Sequence, residues 1–406
     1  MTDHLRPEVR REAPTDLSDV GQDDALVERI RADIRRAGPM PFARFMELAL
    51  YAPDGGYYRD AAIRPGREGD FLTAPELHPI FGWSLARGID EIWRRLGEPS
   101  PFVVREHGAG GGALAVAILD GLRDAGSPLL DAIGYEPVEI DARRLEAFTV
   151  RLAAAGHGGR QREPAGGSFT GVVLGNEVLD ALPVHRVRRR GDRLVELAVG
   201  LDADDVFVEV ETEPTTPALA ERLAAEGVEL ADGQTVEVCL ALDGWIAAAA
   251  APLRQGVLLL IDYGAPAAEL YDPVRRRDGT LRAYVRHQVH ADPYRYIGRQ
   301  DLTAHVDVTA VERAAAAAGL TTIGVTTQAE ALMGLGIEAR LQSIQADPAT
   351  TFEEYTLVRS ALMRLLDPAA MGRFRVMAFG RDWPASDSGQ PPLALFAFRL
   401  PTRRGR

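Results

Sequence analysis

From Pro101 onward, apolar runs of strand length alternate with segments whose apolar residues recur at helical spacing, the pattern of a parallel sheet covered on both faces. The runs "FVVRE", "AIGYEP", "GVVLGN" and "GVLLLIDYG" read as strands, and "GALAVAILDGLRDAG" and "EIDARRLEAFTVRLAAAG" as helices. Upstream, Leu26, Ile30 and Ile34 share one face of a helix that starts near Asp23; "AGPMP" then breaks the period before a second helix, "FARFMELALY". An irregular stretch, "APDGGYYRDAAIRPGREGDFLTAPELHPIFG", precedes a helix from about Pro79 to Leu96, and so much loop in a compact region marks a binding surface or lid. Between the third and fourth strands, "HRVRRRGDRLVELAVGLDADDVFVEVE" alternates as an antiparallel hairpin does, with "RVRRR" as its solvated face. The Arg/Pro/Gly-rich segment from Ala265 to Gln300 is a second insertion. A helix at "VDVTAVERAAAAAGL", the stretch "TTIGVTTQ", more helix, and the strand candidates "FRVMAFG" and "LALFAFRL" complete the chain.

Composition narrows the class. The 406 residues are 46% hydrophobic and 26% charged, enough to bury a core in two or three domains. A formal net charge of -13 opposes bulk attraction to nucleic acid or anionic lipid, and no apolar run is long enough to cross a bilayer. The single cysteine, Cys239, excludes an intrachain disulfide and a cysteine-based zinc site, and fits a reducing compartment. Every basic side chain is arginine, read here as composition bias. The acidic start "MTDHLRPEVRREAPTDLSDVGQDD" has no apolar h-region; it reads as a disordered leader, not a signal or transit peptide, and the expected location is cytoplasmic.

The chemistry-bearing residues gather where strands end. After the first core strand come Glu106, Gly108, Gly110 and Gly112, at a strand-to-helix junction where a ligand can approach bare backbone. "GAGGGA" suits NAD or S-adenosylmethionine, and a tight structural turn is the alternative. The second strand ends with Glu136, where an acid would accept hydrogen bonds from ribose hydroxyls. The third ends "GNEVLDALPVH", placing Asn176, Glu177 and Asp180 beside the same crevice; paired carboxylates there suit a cationic acceptor, since a guanidinium bonds carboxylates bidentately. Asp262, ending the fourth strand in "DYG", is a reserve catalytic carboxylate. His287, His290, His305 and Asp301 do not make a metal set, because catalytic zinc needs a tight tetrahedral group; no metal is expected.

The glycine loop, "GNEVLDALPVH", "LLIDYG" and "GTLRAYVRHQVHADPYRYIGRQDLTAHVDVTAVERA" together resemble the MidA family of S-adenosylmethionine-dependent methyltransferases, which includes the mitochondrial complex I assembly-factor methyltransferase. "PMPFARFMELALYAPDGGYY", "GDFLTAPELHPIFG" and "TTQAEALMGLGI" extend the likeness from about Gly38 to Gly380. The resemblance implies a Rossmann-like α/β core of seven strands (class I methyltransferase) with an N-terminal helical extension and inserted segments. The expected divisions are a leader at 1–22, a helical lid at 23–98, and a core at 99–406 with insertions at about 186–255 and 265–305. It also implies S-adenosyl-L-methionine as cofactor, held by Glu106, Gly108, Gly110, Gly112, Glu136 and Asn176. Glu177 and Asp180 would orient an acceptor arginine and take its proton, with Asp262 in reserve; Asp70 and Thr73 would close the crevice, and Tyr284, His287, Thr303 and His305 would shape the acceptor channel. His107 and Ala109 depart from the aliphatic residue and proline of the family pattern. The expected partner is a protein acceptor, in the mitochondrial branch a respiratory complex I subunit; nucleic acid is not expected, and a homodimer is compatible with the sequence. Rival readings are an NAD-dependent oxidoreductase and a non-catalytic assembly factor that keeps the fold.

Overall fold

A computed structural model of the chain describes residues 17–59, 73–164, 166–384 and 391–398. Its centre is a six-stranded sheet of β1 (Phe102–His107), β2 (Ile133–Val138), β3 (Phe169–Asn176), β4 (Leu253–Asp262), β5 (Thr321–Thr327) and β6 (Arg375–Arg381). The spatial order is β2-β1-β3-β4-β6-β5, with β6 alone antiparallel to its neighbours. The first four are the apolar runs read from the sequence, and both faces are covered. Val104, Val172, Leu174, Val257 and Leu259 pack with Ile89, Leu114 and Ile118 of helices Ile80–Arg95 and Ala113–Asp124. Val173, Leu258 and Leu260 pack with Ile246 and Val311 of helices Ala241–Ala250 and Val308–Ala317. This is the Rossmann-like α/β core that the resemblance implies. A seventh strand was expected; its place beside β2 is held by a single bridge from Gln161 to Tyr135.

The chain runs from β1 to β2 on one side and returns to place β3 on the other, so a crevice opens between the carboxyl ends of β1 and β3. Everything outside the sheet is arranged around that crevice. His185–Arg190, Arg193–Leu201 and Phe207–Thr212 form a three-stranded meander in place of a simple hairpin; Met40–Pro41 and Thr235–Val238 join it in a five-stranded sheet. Its arginines pair within it: Arg186 and Arg188 meet Glu209 at 2.6 and 3.0 Å. Helices Asp24–Ala37 and Phe42–Tyr51 share a core with this sheet and the second insertion, through Leu26, Phe42, Phe45, Val199, Phe207, Ile297 and Leu302. The expected 23–98 lid is therefore divided: its first helices belong with the insertions, while Ile80–Arg95 lies on the Rossmann-like core.

Two further expectations change. "LALFAFRL" contains the helix Ala394–Ala397, not a strand. Leu393 and Leu395 are buried in the main core and the Ala394 N–H donates to Glu91 Oε2 at 2.9 Å; a run this short carries the same apolar pattern in either conformation. Of the expected leader, residues 1–16 lie outside the described residues, whereas Asp19 pairs with Arg286 at 2.7 Å. Among the described residues no helix is long and apolar enough to cross a membrane.

Candidate active site

The crevice widens into a cleft of about 660 Å³ lined by residues of both layers. On the core side, β1 delivers Glu106 and then Gly108 and Gly110, at φ 66° and 51°. A Cβ added to Gly110 would meet nothing nearer than the Gly108 carbonyl oxygen at 4.0 Å, so this main chain is open for close approach. The Gly110 N–H donates to Glu139 Oε2 at 2.9 Å, and Glu139 Oε1 accepts from the N–H groups of Ile140 and Asp141 at 2.8 and 3.1 Å. Glu106 lies deeper. Tyr135 donates its hydroxyl to Glu106 Oε2 at 2.6 Å, while burial raises the Glu106 carboxyl to about 8.

Two glycine-loop expectations are corrected by this geometry. Glu136 does not face the cleft: it is buried within β2, opposite Arg105 of β1, whose Nε donates to Glu136 Oε2 at 2.7 Å. The acid that reaches the crevice is Glu139, one residue beyond the end of β2. Gly112 also lies outside the lining. It starts the Ala113–Asp124 helix at φ 81°, and a Cβ there would sit 2.9 Å from the Phe148 ring, so its role is packing.

After β3 the chain turns sharply. Glu177 occupies the left-handed region at φ 51°, unusual for a residue with a side chain, and its N–H donates to the Ile261 carbonyl at 2.8 Å. Its Oε1 accepts from the Ala74 N–H and from Asn176 Nδ2, both at 3.2 Å. Asp180 is buried in the same wall; the Tyr263 hydroxyl donates to its Oδ2, and its Oδ1 has no hydrogen-bond partner among the described residues. Burial raises Glu177 to about 8, helped by the charge of Asp180, and raises Asp180 to about 6. Asp262, the reserve catalytic carboxylate, does not line the cleft. It lies beneath the turn, accepting from the N–H groups of Val178, Leu179 and Asp180 at 3.1, 2.8 and 3.3 Å and of Tyr263 at 2.8 Å. Its carboxylate shapes the loop that carries Glu177 and Asp180.

The far side of the cleft comes from distant segments. Tyr51, Tyr58, Tyr263 and Tyr284 line it with Asp180, Asp301, Thr303, His287 and His305. Tyr51 and Tyr58 stack at 5.5 Å, and the Tyr58 hydroxyl donates to Asp301 Oδ1 at 2.9 Å. Burial, reinforced by Arg276, Arg373 and Arg282, lowers His305 to about 4, so the ring is neutral at neutral pH. Thr73 lines the cleft, and Asp70 lies outside the described residues. Tyr284, His287, Thr303 and His305 thus share one cleft with Glu177 and Asp180, as do Glu106, Gly108, Gly110 and Asn176. Sequence reasoning missed Glu76, Glu139, Tyr51, Tyr58 and Tyr263, and weighed Asp301 only as a metal ligand. For Glu139 the signal was present, an acid just beyond an apolar strand; the others are joined only by tertiary packing.

A Rossmann-like sheet with an open glycine loop and an acid beside it at the switch point defines the class of nucleoside-cofactor enzymes. The family of S-adenosyl-L-methionine-dependent methyltransferases matches residues 84–326. A Drosophila melanogaster relative described as a mitochondrial protein arginine methyltransferase NDUFAF7 homolog is 30% identical over 389 residues, 87% of this chain and 84% of the relative. The Homo sapiens protein arginine methyltransferase NDUFAF7 is 27% identical over 383 residues, covering 87% and 82%. A Burkholderia thailandensis crystal structure bound to S-adenosyl-homocysteine matches with 35% identity and a TM-score of 0.82, covering 95% of this chain and 97% of that one. The chain belongs to this family of S-adenosyl-L-methionine-dependent methyltransferases, and that membership resolves the glycine loop in favour of S-adenosylmethionine over NAD.

Proposed function

We propose that the chain methylates the guanidinium of an arginine side chain in a protein acceptor. The observation that carries the proposal is the far chamber of the cleft, where four tyrosines surround the buried carboxylates Asp180 and Asp301 beside Glu177. Such a chamber suits a planar cation, which bonds carboxylates through its N–H groups and stacks on aromatic faces. The relatives described as protein arginine methyltransferases support the same acceptor, and the resemblance to the complex I assembly branch extends the proposal to a respiratory-complex subunit.

The residues present fit the cofactor. Gly108 and Gly110 offer bare main chain, Glu139 stands where ribose hydroxyls would be accepted, and Glu106 and Asn176 border the space between. When bound, S-adenosylmethionine supplies an electrophilic methyl group. Glu177 and Asp180 hold the guanidinium at its edge and exclude water from it. At neutral pH Asp180, at about 6, is the ionised carboxylate, and its partnerless Oδ1 is the atom placed to take the proton that the guanidinium must lose. Tyr263 fixes the other oxygen and so the plane of the carboxylate. Glu177, at about 8, is protonated until a cation enters; the entering charge favours its ionisation.

The test compares methylarginine peptides in cells with and without the gene. The expected result is one site that disappears, returns with the wild-type chain, and fails to return with Asp180→Asn. An unchanged set of methylarginine sites overturns the proposal. If the cellular role persists with Asp180→Asn while no site changes, the non-catalytic assembly factor replaces it.

A further inference from the structure

Glu76 is a cleft carboxylate to which neither the sequence reading nor the acceptor chemistry gives a role. It lies in the short helix Ala74–Leu77, which packs on the Ala113–Asp124 helix, and it lines the cleft together with Gly111, Ala113 and Leu114 at that helix's start. Its Oε2 is buried without a hydrogen-bond partner among the described residues. Burial lifts its carboxyl to about 7 despite the opposing pull of Arg151 and Arg144. Neither arginine bonds it. Arg151 is instead close to the glycine loop, where a Cβ on Gly111 would lie 3.8 Å from its Nη1.

The cofactor's aminobutyrate chain is a zwitterion, so its site needs a cationic and an anionic partner. The start of the Ala113–Asp124 helix and Arg151 supply positive potential for the carboxylate. For the ammonium, Glu106 already accepts from Tyr135, and Glu177 from Ala74 and Asn176. Glu76 keeps an open, desolvated oxygen. We infer that Glu76 receives the ammonium of the cofactor's aminobutyrate chain, and that this contact seats the Ala74–Leu77 turn whose first N–H holds Glu177. Cofactor binding then sets the carboxylate that meets the acceptor. The inference rests on the cofactor assignment and is independent of the acceptor being arginine.

The test uses the full chain and calorimetry with three nonreactive ligands: S-adenosylhomocysteine, its decarboxylated analogue S-adenosyl-3-thiopropylamine, and 5′-methylthioadenosine, which lacks both charged groups. Glu76→Gln is expected to weaken the first two about tenfold or more, the effect of losing a charged hydrogen bond, and to leave the third within about twofold. Glu76→Asp recovers part of the loss. In hydrogen exchange, S-adenosylhomocysteine slows the peptide carrying residues 73–77 in the wild type but not in Glu76→Gln. Equal losses for all three ligands indicate a merely structural residue and overturn the inference, as does no loss, a loss confined to the carboxylate-bearing ligand, or unchanged exchange protection in the variant. If the wild type binds none of the three, the cofactor assignment itself fails and takes the inference with it.

Discussion

Most of the cofactor end of the cleft comes from one continuous strand, loop and helix start between Glu106 and Leu114, whereas the acceptor end takes Tyr51 and Tyr58, Asp180, Tyr263, Tyr284 and Asp301 from separate parts of the chain. The first is largely main chain presented by sheet geometry; the second is made of side chains held by one another. A main-chain site tolerates sequence change wherever the backbone keeps its path. A side-chain site is altered by each substitution, so under the proposed function specificity for the acceptor resides there.

Substitutions at the two ends should therefore separate binding from chemistry. The largest effect is expected for Asp180→Asn: a fall in kcat of about 10²- to 10⁴-fold, the usual contribution of a general base, with S-adenosylhomocysteine affinity nearly unchanged by calorimetry. Asp262→Ala joins the two ends, because it leaves four N–H groups of the turn without their acceptor; a stability loss on the order of 3 kcal/mol in denaturant unfolding, with loss of activity, is expected. Retained activity in Asp262→Ala would show that the turn needs no support. At the cofactor end, Glu139→Gln is expected to weaken S-adenosylhomocysteine about tenfold and leave the melting temperature unchanged. Glu136→Gln should do the reverse, lowering stability by uncoupling the buried Arg105 while binding persists. The same ligand loss in both variants would erase the distinction drawn between these acids.

The smallest expected effect is in pH dependence. Because the proposed chemistry uses the carboxylates in ionised form and burial raises Asp180 to about 6 and Glu177 to about 8, kcat/KM for the acceptor should climb with pH across that window, and Glu177→Gln should remove its upper part. Stability runs the other way. A carboxyl raised from 4.5 to about 8 by folding binds its proton more tightly in the native state, so its stabilising contribution is complete below 4.5 and lost as pH rises through 8. The wild-type melting temperature should fall over this range more steeply than that of Glu177→Gln; parallel curves would contradict the placement of a desolvated Glu177.

The strands β1 to β4 were legible because each is a short apolar run bounded by turn residues, and the glycine loop because its position follows from the strand before it. Glu136 misled because the strand runs two residues further, to Val138, and its carboxylate is taken up by Arg105 at the paired position of β1. In β2 the residue that turns into the crevice is the one just past the strand end, Glu139. Asp262 misled for a different reason: a carboxylate at a strand end serves equally well as reactant or as acceptor for main-chain N–H groups, and residue order does not tell which. The tyrosine chamber left no local trace. Tyr58 and Asp301 meet across 243 positions of sequence, and their pairing depends on the N-terminal helices packing with the insertions.

The recess around Asp180 also bears on self-recognition. All of the chain's 46 basic residues are arginine, so an enzyme acting on arginine carries many prospective targets on its own exterior. With the reacting carboxylate only 6% exposed, a guanidinium fixed to a folded surface by its own ion pairs, as Arg188 and Arg190 are, cannot enter. Under the proposed arginine chemistry, depth would spare the catalyst from its own reaction and reserve modification for an arginine carried on chain that can be threaded inward.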